Sequence, residues 1–299
     1  MEKAPLPGSL SELLDHITEV CPLPATAQRI LALSNSDDSK TKEISEAISC
    51  DPAMAAQVLR IANSAIYARP RRVVDLQQAL VTIGLDEVRN IAAAMALLAA
   101  FRSPEEISLE LHAWSALSGG VARMIAAKFL PSWKGMTLVA GLLCEVGALA
   151  CLAVDGEGYV ELWRSVHNRA EPWTSVAVEA RDEFERDRYG YTSRAIGAKF
   201  LRRNMIPEEI ASAIEAPTRS HRGPSPLGCI TMFARRVAPL LVSVFESGDL
   251  DDLADKLHDL ALATQLGDLD REGLRELCIA ATVETELSQR KRPAKKSVS

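Results

Sequence analysis

Cys144 and Glu145 stand side by side in Gly141-Leu-Leu-Cys-Glu-Val-Gly147, a thiol and a carboxylate in otherwise apolar sequence. Residues of these types can ligate a metal, supply a nucleophile or move a proton. Each option needs company. Adjacent residues on a helix point about 100° apart, so a metal held by both must draw further ligands from other helices. A nucleophilic thiol needs a base beside it, and apolar surroundings favour an inert buried thiol. The carboxyl of Glu145 must find a donor or take up a proton. The expected donor is an arginine, a lysine or a backbone N–H from a facing helix. The remaining cysteines, Cys21, Cys50, Cys151, Cys229 and Cys278, form no Cys-x-x-Cys pair and no zinc pattern with histidine. They read as reduced thiols of a cytoplasmic protein.

A second polar group follows an amphipathic helix: Asn63, Ser64 and Tyr67, then the basic loop of Arg69, Arg71 and Arg72. Asn63 and Ser64 can tie off free carbonyls and set the turn, or they can meet a ligand or partner together with Tyr67; both readings stay open. The three arginines, with Arg202 and Arg203 further on, can pair with phosphates or carboxylates, or simply stay solvated. The last ten residues, from Arg290 to Ser299, are basic and lack apolar periodicity. They are read as a disordered tail, with contact to nucleic acid as the lesser option.

The elements that must position these residues are helices. Ala and Leu dominate and Val, Ile and Thr are sparser, which favours helix over sheet. No strand-like alternation with hairpin turns interrupts the helical spacing, so the expected fold is all-α. Ser9 with Glu12 forms a capping-box pattern that opens the first helix, and Asp51-Pro52 opens another. That helix is expected to run on to Tyr67-Ala-Arg-Pro70. Further helices are expected over 75–83 and 86–101, on either side of Gly84, then over 105–130, 134–154, 158–168, 173–189, 192–203 and 207–214. Three more follow a breaker-rich stretch at 216–226. The breakers divide the chain into an N-terminal helical subdomain at 9–103, a second helical subdomain at 104–220, C-terminal helices at 224–288 that pack on the core, and the tail at 289–299.

A chain of 299 residues can bury a large core. Its net charge of −6 argues against a domain-wide nucleic-acid surface. Met136 to Val154 is almost long enough to span a bilayer. Glu145 at its centre and two glycines favour a buried helix of a globular bundle instead, and the opening residues lack a signal-peptide layout.

Residues 23–91 carry a family resemblance. Leu23-Pro24, Asp51-Pro52, Val58-Leu59-Arg60, Ala62-Asn63-Ser64 with Tyr67, and Ala79-Leu80 leading to Ile83-Gly84-Leu85 resemble the HDOD (HD-related output) domains. These are bacterial signalling modules distantly related to the HD and HD-GYP phosphohydrolases, and the similarity extends over about residues 10–220. The resemblance implies a multi-helix HD-like bundle. It also marks where HD hydrolases hold divalent metals through histidines and a His-Asp pair. Here Cys144-Glu145 fills the His-Asp slot, Ala116 an earlier histidine slot, and Ser193 a later one. Glu215-Ala216-Pro217 stands where a His pair is common. His112, His167 and His221 are the imidazoles that would have to converge on Glu145 to restore a metal site.

The resulting expectation is a non-catalytic signalling module that acts through partners such as a kinase, a response regulator or a cyclic di-GMP enzyme. No cofactor and no membrane are expected. A sensor of a nucleotide or small anion in the vestigial pocket is the alternative, and a metal-dependent phosphodiesterase is the weakest reading.

Overall fold

The computed structural model describes residues 9–34, 41–63, 72–168, 170–215, 225–247, 253–264, 266 and 272–280. Among them it contains helices and no strands. The Ser9 hydroxyl accepts the Glu12 N–H while the Glu12 carboxylate accepts the Ser9 N–H, so the capping box opens α1 (Leu10–Val20) as its sequence requires. Helices α2 (Ala25–Ser34) and α3 (Thr41–Ser49) follow. Asp51 caps α4 (Pro52–Ala62) by accepting from the N–H groups of Ala53 and Met54. Asn63 caps this helix, folding its side chain back onto the Leu59 carbonyl; the expected end near Tyr67 lies outside the described residues. Asp75 caps α5 (Leu76–Ile83). Gly84, at φ +99°, then turns the chain into α6 (Leu85–Ala100), a conformation that suits a residue without a Cβ.

The second half is arranged around α7 (Glu106–Phe129), the longest helix among the described residues, which packs along α8 (Lys134–Leu142) and α14 (Pro226–Ser247). A short 3₁₀ turn over Pro131–Trp133 links α7 to α8. Next come α9 (Val146–Val154), α10 (Gly156–His167), α11 (Ser175–Tyr189), α12 (Ser193–Arg203) and α13 (Glu208–Glu215). α15 (Leu253–Ala263) and helical residues 272–280 complete the described chain. Small buried residues on α6 (Ala92, Ala93, Ala94 and Ala96) give it a low-profile face, and it packs on both α2 and α8. α6 therefore joins the two halves. α1 reaches across to α9 and α12, where Asp15 meets Arg203 at 2.6 Å.

The continuous helix expected over 134–154 is two helices. Leu143, Cys144 and Glu145 form a turn between α8 and α9. Two glycines explain why the chain can break here and remain packed. Gly141 lies against the backbone of Ser118 and Gly119 on α7, and a Cβ there would come within 2.6 Å of the Ser118 carbonyl oxygen. A Cβ on Gly147 would be driven into the Ser193 carbonyl oxygen and would meet the Gly197 nitrogen at 2.7 Å, so α9 and α12 touch backbone to backbone. The stretches Pro131–Val154 and Pro226–Val244 are long and apolar enough to cross a membrane, but 89% and 83% of their most apolar windows are buried inside the fold.

Gly147→Ala is expected to cost about 3 kcal/mol, near the upper end for overpacking, because backbone atoms rather than a flexible side chain oppose the methyl. Gly156→Ala should stay within about 1 kcal/mol of the parent, since its Cβ would meet only a Glu105 carboxylate oxygen at 3.8 Å. Urea unfolding of the two variants checks this, and matching midpoints would mean that α9 and α12 can move apart freely.

Candidate functional site

The turn between α8 and α9 presents Glu145 to two arginines from distant parts of the chain. Arg181 of α11 donates Nη2–H to Oε2 at 2.8 Å. Arg235 of α14 donates from Nε to Oε1 at 2.6 Å and from Nη2 to Oε2 at 3.0 Å, a two-pronged fork. The glutamate side chain is 2% exposed, so the pairing takes place away from bulk water. Burial alone would push its carboxyl up, but the two guanidiniums outweigh burial and hold it at about 2. The sequence called for a donor to Glu145, and two are present.

Around this pair the network continues inward. Arg181 also donates from Nε to Glu185 Oε1 at 3.0 Å and from Nη2 to the Ser193 hydroxyl at 3.2 Å. Glu185, fully buried, accepts the Tyr159 hydroxyl at 3.1 Å and the Ser193 backbone N–H at 2.6 Å. Its carboxylate thus accepts the first N–H of α12, at a helix start where negative charge is favoured. The Arg181 guanidinium lies 5.2 Å from the centre of the Trp163 ring. Trp163 in turn meets Trp114 at 5.2 Å and His167 at 4.2 Å. Burial, followed by the positive charge of Arg181, lowers His167 to about 4, so its imidazole is neutral at pH 7.

These groups open onto a cavity of about 50 Å³ lined by Glu145, Arg181, His167, Trp114, Arg235 and Arg236, among others. Arg236 is anchored at its edge, donating to the Trp173 carbonyl at 2.9 Å and to the Ser175 hydroxyl at 3.1 Å. Pro239, four residues beyond Arg235 and also in the wall, has no N–H to return to the Arg235 carbonyl. Arg194 of α12 pairs with Asp182 of α11, and both line the same space.

Of the positions singled out from sequence, Cys144 and Glu145 line this cavity and Ser193 joins it through Arg181. Ala116 is not among its lining residues, whereas Trp114, on the same helix, is. Burial and then the neighbouring Glu145 charge push the Cys144 thiol up to about 12, which leaves it protonated and unreactive at pH 7. His112 faces elsewhere, with its ring nitrogens on the Ser108 and Leu98 carbonyl oxygens. Asn63 commits its amide to structure: Nδ2 donates to the Leu59 and Val73 carbonyls and Oδ1 accepts the Val73 N–H, each at 2.8 Å. Arg72 is exposed. Ser64, Tyr67, Arg69, Arg71, His221 and the basic tail lie outside the described residues. Arg202 is clamped by Glu208 at 2.8 Å and Glu215 at 2.6 Å, and Arg203 by Asp15, so these two are not free anion contacts.

Sequence reasoning missed Arg181, Glu185, Arg235 and Arg236. One signal was available: Arg235-Arg236 interrupts an otherwise apolar run in α14, the complement of one glutamate interrupting another. A divalent cation does not fit the residues present. Both Glu145 oxygens already accept guanidinium N–H groups, the adjacent thiol stays protonated, and two fixed positive charges would repel the ion at short range. Among the described residues no three histidine, cysteine, aspartate or glutamate side chains are grouped to hold a metal.

The sequence matches the HDOD domain over residues 20–220. Solved structures share the fold. One is a provisionally assigned phosphohydrolase from Shewanella amazonensis SB2B, 22% identical over 91% of this chain and 96% of that one, with a TM-score of 0.68. Another is an HDOD domain protein of unknown function from Geobacter sulfurreducens, 20% identical over 95% and 99%, with a TM-score of 0.62. A third is a provisionally assigned signal transduction protein from Marinobacter aquaeolei VT8, 24% identical over 95% of this chain and 61% of that one, with a TM-score of 0.58. No curated protein gave a significant match.

Glu145→Gln leaves two buried guanidiniums short of a charge and is expected to cost about 3–5 kcal/mol at pH 7. The carboxyl is depressed from 4.5 to about 2 on folding. Its stabilisation is therefore complete above pH 4.5 and is lost as the pH falls towards 2, about 3 kcal/mol in all. Urea melts at intervals from pH 7 to pH 2 should show the gap between parent and variant narrowing only below pH 4.5. A gap that does not change with pH would disprove the charged pairing.

Proposed function

The chain belongs to the HDOD family, and from that premise we propose that it is a non-catalytic signal-transduction module that works by binding other proteins. The observation that carries the reading is the state of the turn between α8 and α9. There, two guanidiniums hold the carboxylate that the HD-like frame would offer to a cation. Positive charge is supplied to this spot by the chain itself, in fixed positions and without an exchangeable ligand shell. Such a centre cannot lower the pKa of a bound water as a divalent ion does. What it can do is tie three segments together, the α8–α9 turn, α11 and α14, which gives a rigid body for presenting a docking face. Partners of the expected kind are a kinase, a response regulator or a cyclic di-GMP enzyme.

A second reading, a sensor of a small anion in the same cavity, is favoured by one observation: the cavity wall holds four arginines. A whole nucleotide is a poor match, because a volume of about 50 Å³ is far below the roughly 300–1,000 Å³ of typical ligand pockets.

The experiment joins two measurements on the full chain. Protein purified from cells grown with added manganese and iron should carry metal well below one equivalent and leave bis(p-nitrophenyl) phosphate and cyclic di-GMP uncleaved. Crosslinking in the native host should then identify a signalling protein that binds the purified chain directly. Stoichiometric metal accompanied by turnover would replace this reading with a hydrolase, and the absence of any direct partner would remove the docking role.

A further inference from the structure

The wall of the cavity is short of acceptors. Arg181, Arg194, Arg235 and Arg236 line it, against the carboxylates of Glu145 and Asp182. Counting Glu185, which binds Arg181 from behind, four guanidiniums face three carboxylates among these described residues. His167, at about 4, is neutral at pH 7 and adds no charge of either sign. Arginine does not escape this imbalance by losing its proton.

The donors are also incompletely used. Arg235 bonds Glu145 through Nε and Nη2, and Arg236 bonds Trp173 and Ser175 through Nε and Nη2. The bonds of both arginines to described residues run through Nε and Nη2, leaving the Nη1 edges for another acceptor, and among the described residues the buried indole N–H of Trp114 in the same wall has none. Burial lowers the pKa of Arg236, whose printed contacts are neutral, and of Arg194, whereas the charge of Glu145 outweighs burial at Arg181 and Arg235 and raises both. Val166, Pro172, Ala177, Ile214 and Pro239 add apolar wall, and the hydroxyl of Thr231, also in the wall, donates to the Leu227 carbonyl at 2.7 Å. They set the size of what can enter. At about 50 Å³ the space suits roughly three or four waters, which is the size class of an inorganic phosphate or a short carboxylate.

We propose that this cavity is a binding site for a small oxyanion, held by the Nη1 edges of Arg235 and Arg236 with Arg181 and Arg194 beside them. This rests on the sensor reading of the cavity and narrows its ligand. The anion would sit between α11, α12 and α14, so its binding tightens the attachment of α14 to the bundle. It needs no metal, because the chain provides the positive charge.

The test uses the full chain in HEPES at constant ionic strength, titrated separately with inorganic phosphate and with acetate while thermal unfolding and binding heat are recorded. A saturable rise in Tm of about 2–4 °C is expected at roughly five times Kd. Arg236→Gln should weaken binding by about tenfold or more. Arg236→Lys, which keeps the charge and loses the fork, should also weaken it and serves in its place if the glutamine variant does not fold. Response to phosphate alone identifies a phosphate-type ligand, and response to acetate alone a carboxylate. The proposal is overturned if both anions give only the shift that an equal ionic strength of sodium chloride gives, or if both variants bind as the parent does. Failure here leaves direct partner binding, which has its own readout, untouched.

Discussion

One buried carboxylate with two guanidiniums on it determines how the second half of this molecule is assembled. Glu145 comes from a turn, Arg181 from α11 and Arg235 from α14, so the interaction joins segments 36 and 90 residues away from the glutamate. Removing three charged groups from water is costly, and their mutual attraction does not guarantee a gain over an apolar substitute. What such a centre imposes is position. Each oxygen and each N–H has a defined partner, and a shifted helix would strand a charge in the interior. The surrounding Glu185, Tyr159 and Ser193 extend that requirement to α10 and α12.

Much of the architecture was legible in the sequence because it rests on local chemistry. The capping box at Ser9 and Glu12, the Asp51-Pro52 start of α4 and the glycine between α5 and α6 are short-range signals, and each acts as read. The apolar run around residue 145 was harder. Periodicity cannot distinguish one buried helix from two when every face is apolar, and the reason for the break lies in α7 and α12, far away in sequence. The site was half legible. A carboxylate in an apolar run demands a partner, and that demand follows from solvation alone. Which arginine meets it depends on tertiary geometry, and α11 and the family-matched region offer many. Asn63 shows the opposite case: a residue that stood out for its chemistry is occupied in tying the end of α4 to the backbone of Val73.

The family match ends at residue 220, yet Arg235, Arg236 and Pro239 lie beyond it in α14. The centre is therefore shared between the matched domain and a helix outside it. α14 packs along α7, and Ser118 of α7 donates to the Ala234 carbonyl at 3.2 Å, just before the two arginines. This contact helps to set the height at which the guanidiniums enter the bundle. A relative of the same fold with another helix in this place would keep the glutamate-bearing turn and lose half of its counter-charge.

At Gly147 the spacing of α9 and α12 is set by main chain against main chain. Nothing about that spacing depends on which side chains stand at 144, 145 or 193. At this one contact the distance between two helices is fixed by atoms every residue carries, whereas the placing of α11 and α14 rests on the charges at Glu145, Arg181 and Arg235. A substitution elsewhere in the cluster can therefore loosen α11 or α14 while α9 and α12 keep their distance.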